Sequence, residues 1–128
     1  MAESIHQEVT IDASADRVYA ALTNAGQFAA LTAAPATIDA TPGGAFSCFG
    51  GMIEGRTIEL APGLIVQAWR VANWPVGHYS ILRFALQQQG DGTRLVFDQA
   101  GFPDDQLPHL EAGWAKMYWE PLKKYLAT

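Results

Sequence analysis

The chain is short of charge, and of cations above all. Of its 128 residues 16% are charged, with eight Lys and Arg against 13 Asp and Glu, a formal net charge of -5. An acidic surface with few cations has little to attract a phosphate backbone or an anionic lipid layer, so nucleic acid and membranes are set aside as partners. Lys123 and Lys124 are the single adjacent basic pair, too little to track phosphates. Cysteine is nearly missing: with Cys48 alone, no internal disulfide can form. Long apolar runs are missing as well, and no stretch approaches the ~20 residues needed to cross a bilayer. The opening Met1-Ala2-Glu3-Ser4 has neither the basic nor the apolar region of a secretory leader, which makes the cytoplasm the expected location. No repeat, low-complexity segment or Ser/Gly/Pro-rich linker divides residues 1–128, and one domain is expected.

What the chain has is apolar surplus. Hydrophobic residues make up 49%, above the usual share. A chain of this length buries roughly two-thirds of its unfolded surface, enough for a core without staples. The surplus therefore belongs in a large core, a lined cavity or a partner surface.

Residues 4–11 alternate, with Ile5, Val9 and Ile11 on one side and His6, Glu8 and Thr10 on the other, the period of a half-buried strand. Ser14 stands where a helix N-cap belongs, and Val18, Ala21 and Leu22 follow at helical spacing. Asn24, with Gln27 three residues on, opens a second short helix that carries Phe28 and Leu31 inward, with Pro35 beyond its end. Glycine and proline turns then separate strands at 45–49, 52–60, 64–72, 78–88 and 93–100, an antiparallel meander. At the end Leu107, Leu110, Trp114, Met117, Pro121 and Tyr125 recur at spacings of three and four. They predict a helix from Asp104 to Leu126 with one apolar stripe. Pro121 removes a backbone bond inside it and is expected to kink it. The fold class is α+β. A curved antiparallel sheet of six or seven strands packs on a long C-terminal helix, with two short helices after the first strand. A coiled sheet cannot touch a straight helix everywhere, so a cavity between them is expected.

Several segments also resemble a known family. Ile11-Asp12-Ala13-Ser14-Ala15-Asp16-Arg17-Val18-Tyr19-Ala20-Ala21-Leu22-Thr23 resembles the strand-to-helix opening of the START-like (SRPBCC) superfamily. Gly55 to Pro62, Ile65 to Arg70, Trp74, Gly92 to Gln99, Gly101-Phe102-Pro103 and Gly113-Trp114 resemble one branch of it. That branch is named for the C-terminal domain of the activator of heat-shock-protein ATPase. The resemblance implies the helix-grip fold over nearly the whole chain. The superfamily holds lipid carriers, receptors and cyclases, so the fold implies no single function. Ser14-Ala15 replaces a proline that many relatives carry, and Arg17 replaces an acidic residue. No counterpart of the eukaryotic co-chaperone's companion N-terminal domain is expected, which ranks a chaperone partner last.

The candidate cavity residues follow from parity. Phe46 and Cys48, Trp69, Leu82 and Phe84, and Phe97 are expected on the concave face, with Phe28 and Leu31 at one end. Trp114 and Met117 face them from the helix, and Tyr118 lies at the stripe's margin. Ile58 and Leu60 are expected inward, and Glu54 and Arg56 share their parity. A charged pair there would need partners such as a ligand's polar end, unless a bulge near Gly55 or a wet strand edge turns them out. Gln99 shares parity with Phe97 and either reaches the cavity or bonds to neighbouring backbone. Cys48 reads as a small buried hydrophobe before it reads as a nucleophile with His78 as base. His6, His78 and His109 lie in separate elements without ligand spacing, so no metal and no cofactor is expected. No catalytic set is recognisable. The leading expectation is binding of a small hydrophobic or amphipathic molecule between sheet and helix. The alternatives are a cyclase or hydrolase acting on a bound carbonyl compound through Glu54, Arg56 or Gln99, and a co-chaperone-like interaction module.

Overall fold

The computed structural model describes residues 4–127. β1 (Ser4–Ile11) leads into α1 (Ala15–Thr23) and α2 (Ala25–Thr32). The Ser14 hydroxyl accepts the Arg17 N–H at 3.3 Å and the Asn24 side-chain oxygen accepts the Gln27 N–H at 2.9 Å, so both helices start on the caps their sequence provides. There follow β2 (Thr37–Ile38), β3 (Ala45–Cys48), β4 (Ile53–Ala61), β5 (Leu64–Val71), β6 (Ser80–Gln89) and β7 (Gly92–Ala100). They form one seven-stranded antiparallel sheet in the order β1-β7-β6-β5-β4-β3-β2. The first strand closes against the last, and the meander runs outward from there. β2 escapes sequence reading because two residues are too few to show alternation.

The C-terminal segment is built in parts. A tight turn at Asp104–Gln106 precedes α3 (Leu107–Trp114), a π turn spans Ala115–Trp119, and α4 (Glu120–Leu126) ends the chain. In the π turn the Glu120 N–H reaches back five residues to the Ala115 carbonyl. The disturbance expected at Pro121 is thus a wide turn that finishes just before the proline, which then sits in the first turn of α4, where its missing N–H costs nothing. The extra residue advances the phase of everything beyond it. Leu110 and Trp114 face the core as the stripe predicts. Met117, expected inward, is 44% exposed, and Tyr118, Trp119, Leu122 and Leu126 are buried instead.

β4 carries the second correction. Its inward residues are Ile53, Gly55 and Thr57, while Glu54, Arg56 and Ile58 face away, Ile58 being 47% exposed. The register against β5 slips between Thr57 and Glu59, and this bulge reverses parity. Leu60 therefore packs on the core as expected, and extrapolating back from it misplaces the three residues before the bulge. Gly55 fits the inner face because nothing larger can: a Cβ there would lie 1.9 Å from the Ala68 carbonyl oxygen and 2.7 Å from the Phe46 ring.

The concave face and the long helix share one core in which Phe84, Phe97, Trp114, Ile65, Leu82, Leu95 and Leu122 are almost wholly buried. Aromatic rings dominate it, with Phe97 and Trp114 centred 4.2 Å apart and Trp114 stacked on Trp119 at 5.6 Å. α1 and α2 pack on α4.

Candidate functional site

The expected gap between sheet and helix is mostly filled by those rings. What remains inside is about 10 Å³, bounded by Leu22, Phe28, Ile38, Phe46, Cys48, Gln67, Phe84 and Tyr118, room for a single water at most. The larger space opens beside it. A groove of about 430 Å³ runs between the start of β4, the end of β5 and the helix, a volume within the range of small-molecule sites. The sheet side contributes Phe49, Met52, Ile53, Trp69 and Val71. The helix side contributes His109, Leu110, Ala112, Gly113, Trp114, Lys116, Met117 and Tyr118. Tyr118 belongs to both spaces and separates them. A second hollow of about 390 Å³ between α1, α2 and α4 is bordered by Asp16, Arg17 and Gln27, and has no floor of buried aromatic rings.

The groove's floor is Trp69, Trp114 and Tyr118, with ring centroids 5.3 Å apart for the first pair and 4.2 Å for the second. Each polar tip is engaged within the protein. Trp69 Nε1 donates to the Tyr118 hydroxyl at 3.4 Å, and Trp114 Nε1 donates to Gln99 Oε1 at 2.9 Å. Gln99, 1% exposed, in turn donates from Nε2 to Ser80 Oγ at 2.9 Å, and Ser80 donates to the Trp69 carbonyl at 2.7 Å. This chain links the helix to three neighbouring strands and holds the three rings, each no more than 7% exposed, beneath the groove.

Two walls have local causes. Phe49 has a left-handed backbone, φ 54°, which costs a residue with a Cβ about 1–2 kcal/mol. Its ring packs at 5.9 Å on Phe28 and 5.7 Å on Tyr118, and Gly50 and Gly51 continue the turn at φ 66° and 96°. On the helix, a Cβ placed on Gly113 would meet nothing within 4 Å. A glycine inside a helix is destabilising, and here it leaves the groove open. Buried Arg70 pins the following loop by donating to the carbonyls of Trp74, Pro75 and His78 at 2.6, 3.2 and 3.3 Å, which holds Trp74 against Trp69.

Of the residues expected to line a cavity, Trp69, Trp114, Met117 and Tyr118 meet at the groove. Phe28, Phe46, Cys48 and Phe84 surround the small internal space. Leu31, Leu82 and Phe97 are core. Glu54, Arg56 and Ile58 are not brought to either space. The Glu54 carboxylate lies 3.7 Å from Arg70, and Arg56 donates to the Gly43 carbonyl at 2.9 Å. Gln99 is inward, with both side-chain polar atoms hydrogen-bonded within the protein. Phe49, Met52, Ile53, Val71, His109, Gly113 and Lys116 line the groove without a parity signal in the sequence. A lone glycine in a strongly helical stretch is a signal for Gly113; the others become neighbours only through the β3–β4 turn and the helix phase.

The site holds little acid–base chemistry. Burial pushes the Cys48 thiol up to about 12, far from a nucleophile at neutral pH. Burial, with the neighbouring Cys48 adding to it, also drives the Tyr118 phenol upward. The His78 ring N–H donates to the Gly101 carbonyl at 2.8 Å. No Asp or Glu lines the groove among the described residues. The arrangement suits holding an apolar body among the groove's apolar side chains.

The sequence model for activator of Hsp90 ATPase homolog 1-like proteins matches residues 12–127. The chain belongs to this family. An uncharacterized Schizosaccharomyces pombe protein is 33% identical over 120 residues, 93% of this chain and 36% of that protein. The human activator of 90 kDa heat shock protein ATPase homolog 1 is 30% identical over 112 residues, 87% of this chain and 33% of that protein. The chain thus spans about a third of the length of these relatives. The crystal structure of an HSP90 activator from Plasmodium falciparum superposes with a TM-score of 0.92 over 97% of this chain and 96% of that one, at 22% identity. It shares the seven-stranded helix-grip fold.

Proposed function

We propose that the chain binds a small apolar or amphipathic molecule in the groove between β4–β5 and the α3–π-turn segment. The observation that carries this is an apolar groove of about 430 Å³ over a floor of Trp69, Trp114 and Tyr118, with those rings hydrogen-bonded within the protein and open space where a side chain at Gly113 would lie. A floor held in this way needs no further ordering when a ligand enters, which favours binding. The rims are Met52 and Met117, 62% and 44% exposed, flexible side chains that adapt to differing shapes. The acid–base reading has less behind it, since Glu54 and Arg56 lie on the other face of the sheet and Gln99 is buried with its oxygen and nitrogen each bonded within the protein.

A panel of small apolar compounds screened by thermal shift and tryptophan fluorescence tests the proposal. Binders should raise the melting temperature of the parent protein and fail to do so for Gly113→Phe, whose ring would occupy the groove. A panel with no binder, or binders indifferent to Gly113→Phe, would overturn it.

The family favours a second reading, contact with a chaperone of the Hsp90 type, because the human relative and the Plasmodium protein carry that activity in their names. Co-sedimentation of the purified chain with an Hsp90-type chaperone tests it, and no retention at micromolar concentration would remove it.

A further inference from the structure

We infer that the groove selects molecules that carry an anionic end, a carboxylate on an apolar body, with Lys116 as the group that recognises it and His109 beside it. This rests on the groove being a small-molecule site. Four observations carry it.

The first is charge. The protein has 13 acidic residues against eight Lys and Arg. Yet among the described residues the groove's lining holds no carboxylate, while it does hold His109 and Lys116. The second is position. His109 and Lys116 are seven residues apart on one helix, roughly 10 Å along its axis, and both are exposed. They form a polar margin along one side of an otherwise apolar trough. The third is availability. The ion pairs among the described residues join His6 to Glu8 and Asp98, Arg70 to Glu54, and Arg94 to Glu8. Lys116 pairs with no carboxylate among them. The fourth concerns the floor. Both indole N–H groups there are donated inward, to the Tyr118 hydroxyl and to Gln99. The floor therefore offers a ligand no indole donor, and recognition of a polar end falls to the margin.

The arrangement resolves a cost. An anion drawn into the apolar trough would lose its hydration without a partner. Placed at the margin it stays wet and meets a cation, while the apolar body lies in the trough. An exposed ion pair is worth little, so the preference should be modest, about three- to fivefold, and screened by salt.

The test is a fluorescence titration of one chain length with three head groups: octanoate, octanol and octyltrimethylammonium. It is run on the parent protein and on Lys116→Glu, at low and high salt, with near-ultraviolet circular dichroism to check folding. The expected result is octanoate bound about threefold tighter than octanol and the ammonium weakest. Lys116→Glu should reverse the order of the two ions and change octanol less than either, and high salt should remove the differences. Octanol binding as tightly as octanoate, or a head-group order untouched by Lys116→Glu, overturns the charge selection while the groove itself stands. If none of the three binds the parent protein, the groove reading fails and takes the charge selection with it.

Discussion

Trp114, at the end of α3, donates its indole N–H across 2.9 Å to the side-chain oxygen of Gln99 on β7. The bond joins the helix to the sheet at the point where the π turn begins, and Gln99 has its other end on Ser80. Replacing Gln99 by Leu would leave a buried indole N–H and a buried hydroxyl each short of a partner, a loss of about 1–3 kcal/mol. Urea unfolding should show that loss. Combining Gln99→Leu with Trp114→Phe, which removes the orphaned donor, should cost measurably less than the sum of the two single changes. Strict additivity would mean that the bond does not link helix and sheet.

Gly55 tests the corrected facing of β4. Since its missing Cβ would lie 1.9 Å from the Ala68 carbonyl oxygen, Gly55→Ala must push β4 from β5 and should cost roughly 1–3 kcal/mol. An alanine at position 55 that left the denaturation midpoint unchanged would place this residue on the other face, with Glu54 and Arg56 pointing inward.

Gly113 should respond in the opposite sense. It lies inside α3 with open space where a Cβ would go, so Gly113→Ala should stabilise by about 0.5–1 kcal/mol through helix propensity alone. A destabilised variant would show that the space is needed for packing.

The overall architecture is readable from sequence because its signals are local: alternation in β1, caps at Ser14 and Asn24, glycine turns between strands, and an apolar helical stripe. Two one-residue irregularities defeat the same logic. The bulge between Thr57 and Glu59 makes Leu60 a false guide to Ile58, Arg56 and Glu54. The π turn makes Leu110 and Trp114 a false guide to Met117 and hides Trp119. Neither has a strong sequence mark, since each adds a residue without a glycine at the insertion. The groove was least legible. It is a space left between Phe49, Met52, Gly113 and Lys116, and a pattern that tracks buried side chains does not register where side chains are missing.

Alkaline pH should loosen the core near Cys48. Burial raises the thiol from 9.0 to about 12, so the folded thiol stays neutral while the unfolded one ionises. A raised value means stability is whole below about pH 9 and is lost as pH climbs toward 12, with a ceiling of about 4 kcal/mol from this group. Tyr118 is shifted in the same direction by burial and adds to the loss. Urea midpoints between pH 8 and 11 should fall less steeply in Cys48→Ala than in the parent protein. At pH 8 the native thiol should also resist a thiol-reactive disulfide reagent until the chain unfolds; prompt labelling of folded protein would contradict its burial.

The most direct test of the groove is a ¹H–¹⁵N NMR titration of the parent protein with octanoate. The account predicts saturable shifts at the Trp69 and Trp114 indoles and at the backbone of Phe49, Gly113 and Lys116, with Arg17 and Gln27 at the other hollow unmoved. Shifts that fail to saturate, or that gather around Arg17 and Gln27 instead, would contradict it.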